Sequence, residues 1–157
     1  MQIPRISLDQ TDRRLLAALQ ENAHLTAEAL GQVLNLSASQ AGRRRQRLEQ
    51  AGLIRGYGAR LDPEALGLKV QAFVQVQMGT QDPDAARALS ATLQARSEVV
   101  SIWTMTGEAD FLLRVWCPDL PALNHLIHEV ILPMKAVNRV QSQIVLDQMK
   151  ADAPLPV

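Results

Sequence analysis

Residues 26–54, TAEALGQVLNLSASQAGRRRQRLEQAGLI, set the architecture of the amino-terminal part of the chain. Thr26 is an N-cap residue, and Ala29, Leu30, Val33 and Leu34 follow at helical spacing. Asn35, one of the few residues that tolerate the left-handed conformation, ends this short helix. Ser37 opens the next one with Gln40 three positions on, the reciprocal capping-box spacing, and Gly52 stops it after Ala51. A connection this tight forces the two helices to cross steeply. Upstream, Asp9 caps a first helix within Leu8–Glu21, whose Leu15, Leu16, Ala18 and Leu19 supply the apolar surface that covers the pair. Three helices in this order predict a helix-turn-helix unit.

The third helix carries the chemistry. On a wheel of residues 37–51, Ala41, Leu48 and Ala51 lie to one side, and Ser39, Arg43, Gln46, Arg47 and Gln50 fall roughly opposite. Arginine offers a rigid fork of donors for phosphate oxygens or the guanine O6/N7 edge, and glutamine can make two hydrogen bonds to adenine. That mix suits a helix laid in the major groove of double-stranded DNA, where the first turns of the helix meet base edges. Ser39, Gln40 and Arg43 are the expected base readers, with Arg44 and Arg47 on phosphates. The plainer alternative is a solvated charge run.

Charge distribution favours the first reading. The 157 residues, 47% hydrophobic and 20% charged, have a formal net charge of zero, which alone argues against a nucleic-acid binder. Yet residues 1–60 hold nine arginines and no lysine against five carboxylates, whereas the remainder is acidic by the same margin. A basic contact module joined to an acidic body is the expected organisation. The lone Cys117 cannot form an internal disulfide, and the amino terminus lacks the cationic patch and apolar run of a secretory signal, so a reducing cytoplasm is expected. No apolar run approaches the roughly 18–20 residues that span a bilayer, so no membrane association is expected.

Beyond residue 54 the pattern changes. Leu53–Leu61 is extended and punctuated by Gly56 and Gly58, and Asp62–Gly67 reads as a turn or short helix. Strand-like segments at Lys69–Met78, Val99–Thr106, Phe111–Cys117 and Val137–Leu146 alternate with helical ones at Asp84–Arg96 and Asp119–Leu132. The order βαββαβ predicts a four-stranded sheet with both helices on one face, which leaves the other face bare unless another copy packs on it. A homodimer is therefore expected.

Several stretches stand in a specific order: Leu8-Asp9-Gln10-Thr11-Asp12, Leu36-Ser37 through Arg43-Arg44, Arg47-Leu48-Glu49, Gly52-Leu53-Ile54, the hinge Gly56 through Pro63 with Leu66-Gly67, Thr106 through Leu113, and Ile144-Val145-Leu146. Together, over residues 8–146, they resemble the Lrp/AsnC family of transcription regulators, also called leucine-responsive or feast-famine regulators. The resemblance implies an α+β fold. A three-helix winged helix-turn-helix domain would occupy residues 1–54, a hinge linker 55–68, a ferredoxin-like (ACT-like, RAM) domain 69–150, and a loose tail 151–157. It also implies dimerisation through the sheet, further assembly up to octamers, and sensing of an amino acid or related metabolite as small-molecule effector. No enzymatic activity and no cofactor are implied.

In that family the turn between the second and third strands of the carboxy-terminal domain lines the effector pocket where dimers meet, which here selects Gly107, Glu108 and Asp110. A turn glycine lets backbone approach a ligand, and a carboxylate can pair with an α-ammonium group; ordinary hairpin chemistry uses the same residues. The family commonly has two hydroxyl residues spaced by two on the last strand; here Val140 replaces one and Ser142 remains as the effector residue. Ala136 stands where the family has glycine. Arg45 occupies a position usually apolar, either a DNA contact or a strained site. His125 and His128 share a helical face at a spacing that a metal or tetrapyrrole could use, but the plain solvated pair is the stronger reading, and no metal site is expected. Two rivals remain at this level: a tetrapyrrole (sirohaem-type) decarboxylase on the same architecture, and a ligand-sensing module without DNA recognition.

Overall fold

A computed structural model describes residues 7–80 and 82–157; residues 1–6, included in the expected DNA-reading domain, lie outside the described residues. The chain divides into two compact units, Met1–Arg60 together with Lys150–Val157, and Leu61–Met149.

In the first unit, α1 (Gln10–Glu21), α2 (Ala27–Leu34) and α3 (Ala38–Gln50) start where side chains cap them. Asp9 and Asp12 form a reciprocal capping box on α1, and Ser37 and Gln40 form another on α3. Thr26 accepts from the Ala29 amide to cap α2. Asn35, with φ 56° and ψ 46°, ends α2 in the left-handed region. Gly31 explains how the next helix can follow so closely, because a Cβ there would stand 2.7 Å from the Leu36 carbonyl oxygen. That carbonyl belongs to the turn itself, so the tight α2–α3 crossing requires bare backbone at position 31. Leu15, Leu19, Leu30, Leu34, Ala41 and Leu48 close the core.

The expected wing does not form as strands. Among the described residues no strand lies between α3 and Val70, and residues 55–62 are exposed chain. The glycines of this stretch leave few side chains to pack against a partner strand.

The second unit contains β1 (Val70–Met78), α4 (Pro83–Gln94), β2 (Val99–Thr104), β3 (Phe111–Cys117), α5 (Leu120–His125) and β4 (Val137–Ile144). The four strands form one antiparallel sheet in the order β2-β3-β1-β4. Leu89 and Leu93 of α4 and Leu123 of α5 pack on one face against Ala72, Val74, Val76, Leu113 and Val115. The opposite face carries Phe73, Gln75 and Gln77 of β1 beside Arg114 and Leu112 of β3 and Gln143, Gln141 and Arg139 of β4. This is the βαββαβ arrangement with one uncovered sheet face. Helix α5 runs on without a break into a π-helical stretch at Leu126–Ile131, where Leu132 N–H reaches back to the Ile127 carbonyl. The periodicity of Asp119–Leu132 gave no sign of that change in pitch.

Candidate nucleic-acid interface and ligand surfaces

Helix α3 buries Ala41 and Leu48 and leaves Ser39, Gln40, Arg43, Gln46, Arg47 and Gln50 exposed. The capping box that starts the helix also engages some of these side chains. Gln40 Oε1 accepts from the Ser37 amide at 3.0 Å and from the Ser37 hydroxyl at 3.1 Å, so its amide nitrogen is the group turned to a partner. Ser39 Oγ lies 3.2 Å from Ser37 Oγ. Arg43 donates its Nε to the Ser39 carbonyl at 3.4 Å, which holds the stem against the helix and points the terminal fork away from it.

Arg44 and Arg47 behave differently. Both reach the carboxylate of Asp12, which is 0% exposed: Arg44 Nη1 donates to Oδ1 at 2.8 Å and Arg47 Nη2 to Oδ2 at 2.5 Å. Arg44 Nη1 also donates to Asp9 at 2.7 Å. The Asp9 carboxyl is held below its ordinary pKa by the Asp12 amide and by Arg44, and the Arg44 guanidinium is held above its own by Asp9 and then Asp12. Each arginine thus commits one terminal nitrogen inward. Among the described residues its other guanidinium nitrogens have no partner. Asp12 went unnoticed as a recognition-helix anchor, although it falls on the apolar stripe of α1 in step with Leu15 and Leu19, an odd place for a carboxylate.

Arg45 is neither strained nor turned outward. Its Nε donates to Glu49 at 2.9 Å, its Nη1 to the Leu25 carbonyl at 3.1 Å, and its Cζ sits 4.8 Å from the centroid of the Tyr57 ring. Tyr57 OH donates to the same Glu49 at 2.8 Å. Glu49 is consequently held below its ordinary pKa, first by Arg45 and then by Tyr57, while burial and the Glu49 hydrogen bond push the Tyr57 phenol up. Arg45 Nε and Nη1 are met within the unit, and the stacking on Tyr57 fastens α3 to the residues that follow it.

In the sheet unit, Gly107 has φ +108° with nothing near its absent Cβ, a bare backbone approach on the β2–β3 turn. Asp110 is partly used for the fold, since its Oδ2 accepts from the Met78 amide at 2.6 Å and its own amide bonds to the Val76 carbonyl at 3.0 Å. Glu108 joins Gln75, Gln77, Arg139 and Gln141 around a depression of about 250 Å³ at the uncovered sheet face. Ser142 lies elsewhere. It pairs with Val74 and Val140 pairs with Val76, so both face the helix side of the sheet. There they floor an open groove of about 740 Å³ beside the edge strand, walled by Leu120, Leu123, Asn124, Ile127 and His128. Within one chain, therefore, the turn carboxylates and Ser142 line two different surfaces. Asn124 and His128 join the second through the helix geometry, a role that their polar-face positions did not disclose.

His125 and His128 are both exposed, and among the described residues no group of three His, Cys, Asp or Glu side chains is arranged to hold a metal. Cys117 is buried, and burial followed by the Glu98 charge raises its thiol pKa. Among the described residues no helix is long and apolar enough to cross a membrane.

A capped, arginine-bearing recognition helix followed by a one-sided ferredoxin-like sheet defines a DNA-binding regulator with an attached sensing domain. Comparison with known proteins agrees: residues 8–49 match the AsnC-type helix-turn-helix domain and residues 71–155 the Lrp/AsnC ligand binding domain. The chain belongs to the Lrp/AsnC family of transcription regulators. It is 31% identical over 150 residues to the DNA-binding transcriptional activator DecR of Escherichia coli K12, covering 96% of this chain and 99% of that one. It is 30% identical over 147 residues to the leucine-responsive regulatory protein of Salmonella typhimurium, covering 94% and 90%. Among solved structures, a transcriptional regulator from Neisseria meningitidis in complex with L-methionine superposes with a TM-score of 0.91 at 37% identity, covering 96% of this chain and 97% of that one. An AsnC family regulator from Agrobacterium tumefaciens gives 0.87 at 31% identity, covering 95% and 97%.

Proposed function

We propose that this chain acts in the cytoplasm as a homo-oligomeric regulator rather than an enzyme, with residues 1–54 reading DNA, 55–68 serving as hinge, and 69–150 binding the effector and assembling copies. The observation that carries this reading is the exposed face of α3, which presents Ser39, Gln40 and Arg43 near the start of the helix while Ala41 and Leu48 anchor its back. Arg43 is the base reader with an outward fork; Gln40 offers its NH2 donors alone because its oxygen serves the cap. Arg44 and Arg47 meet phosphates with the nitrogens that Asp12 and Asp9 leave over.

The effector is an amino acid or a close relative, a reading supported by the L-methionine complex of the Neisseria regulator. Its site is composite. Ser142 and the Gly107, Glu108 and Asp110 turn line separate surfaces in one chain, so a site using all four takes the turn from a second copy. Copies pair through the uncovered sheet face and associate further, up to octamers. Ligand bound at such a seam favours one assembly and so alters the spacing of DNA-reading heads. The test is genomic footprinting of the purified protein with and without an amino-acid panel, alongside solution mass. Protected palindromic sites whose pattern shifts with one amino acid, on an oligomer, support the reading. A monomer, or no protection at low salt, overturns it.

A further inference from the structure

The last residues of the chain read in sequence as a loose tail, yet they belong to the DNA-reading unit: the chain leaves it after Arg60 and rejoins it at Lys150. Two side chains, Gln20 and Arg60, make the attachment. Gln20, on α1, donates its Nε2 to the Leu155 carbonyl at 3.0 Å and accepts the Leu155 amide on Oε1 at 2.6 Å. A primary amide here pairs with a peptide unit as a neighbouring strand would. A second bond runs from Arg60 Nη1 to the Asp152 carbonyl at 3.2 Å. All three are bonds to backbone, and the Leu155 side chain is 74% exposed. Recognition therefore does not rest on the leucine.

The sequence prepares this segment for such a role. Pro154 and Pro156 flank Leu155 and have no amide, so the Leu155 N–H is the sole donor of the Pro-Leu-Pro run. Both prolines also restrict the free chain to extended conformations, which reduces the entropy lost on docking. The tail closes one side of an open groove: Ala153, Pro154, Leu155 and Val157 line it together with Leu16, Leu19 and Gln20 of α1 and with residues after α3.

We infer that the surface of α1 around Gln20, with Arg60 beside it, is a peptide-docking surface for the chain's own carboxy-terminal segment, Asp152–Val157, which straps the DNA-reading unit at a second point through the backbone of Leu155. With the strap in place, the unit is held by the hinge and by the tail; with it undone, the hinge alone remains. The strap also engages the Arg60 guanidinium, through the Asp152 carbonyl, on a stretch of otherwise exposed chain.

Two measurements on the full-length protein test this. In hydrogen–deuterium exchange, the carboxy-terminal peptide should show one amide protected about tenfold or more, and Gln20→Ala should abolish that protection. In limited trypsin digestion under native conditions, Gln20→Ala and Leu155→Pro should accelerate cleavage after Arg60 severalfold, because the strap occupies the Arg60 guanidinium that trypsin must take up. Leu155→Ala should not, because it keeps the amide and carbonyl. Equal exchange in the native chain and Gln20→Ala, or acceleration by Leu155→Ala as large as by Leu155→Pro, overturns the strap. If protection in the native chain disappears on dilution to monomer, the groove holds another copy's tail and the inference fails.

Discussion

Replacing Asp12 by asparagine isolates the contribution of the buried carboxylate beneath the recognition helix. The carboxylate is fully buried and accepts from Arg44, Arg47 and the Asp9 amide. Hydrogen bonds to a charged group contribute about 1.5–3 kcal/mol each when shielded. The partners are not shielded: the Arg44 and Arg47 side chains are 31% and 47% exposed, and pairs so placed fall towards the surface range of about 0–1 kcal/mol. An asparagine oxygen keeps one acceptor, but its NH2 group confronts a guanidinium donor. The net loss comes to about 1–2 kcal/mol, and in a unit of this size each kcal/mol lowers Tm by about 4–8 °C. Calorimetry of the DNA-reading unit's transition reads this directly. The same substitution removes one carboxylate charge from beside Arg44 and Arg47, while Asp9 still holds Arg44, so below the new Tm the salt slope for non-specific DNA should steepen by about one. Loss of stability with a gain in electrostatic contact is the signature. A stability change below about 0.5 kcal/mol, or a shallower slope, refutes the assignment of Asp12 as anchor of α3.

Arg43→Ala should reduce discrimination among DNA sequences by about 1–3 kcal/mol at the base it reads, whereas Arg47→Ala should weaken all sequences alike, by competition binding at fixed salt. Gly31→Ala should destabilise the first unit by more than the few tenths of a kcal/mol typical of surface changes, because the new Cβ meets the Leu36 carbonyl; urea midpoints measure it. Tyr57 is the sole tyrosine, so its phenolate absorbance titrates one group. The midpoint should lie above the usual value of about 10, and Glu49→Gln should lower it. The linked stability is present below about pH 10 and lost as pH rises through the folded value, while that from Asp9 and Glu49 is present above about pH 4 and lost as pH falls through theirs.

The elements were legible where local chemistry determines them. Ser37 with Gln40, Thr26, Asp9 and Asn35 mark helix ends through bonds made within a few residues, and the structure makes those bonds. The β-rich run Lys69–Met78 likewise forms a strand, β1, over Val70–Met78. What stayed hidden depends on partners far along the chain. Arg44 and Arg47 look alike on a wheel, but Asp12, more than thirty residues earlier, engages both. Arg45 could be placed only once Leu25, Glu49 and Tyr57 surrounded it. Val140 and Ser142 were read beside the turn residues, whereas strand register sends them to the other face of the sheet. The wing that the family resemblance implied is absent because the run after α3 finds no strand to pair with among the described residues.

These distant partners have one effect in common. Asp12 holds α3 from the side of α1, and Arg45 with Glu49 holds it to Tyr57, at the start of the chain that leads away from the helix. Displacement of the Tyr57 segment must then either break the Tyr57–Glu49 hydrogen bond and the Arg45 stacking, or carry α3 with it. Both contacts are partly exposed and together are worth about 1–2 kcal/mol, whereas the apolar packing of Ala41 and Leu48 and the Asp12 pairs hold α3 more strongly. The weaker connection yields first. Displacement of the Tyr57 segment would therefore leave α3 in its seat, and the face that the helix shows would not change.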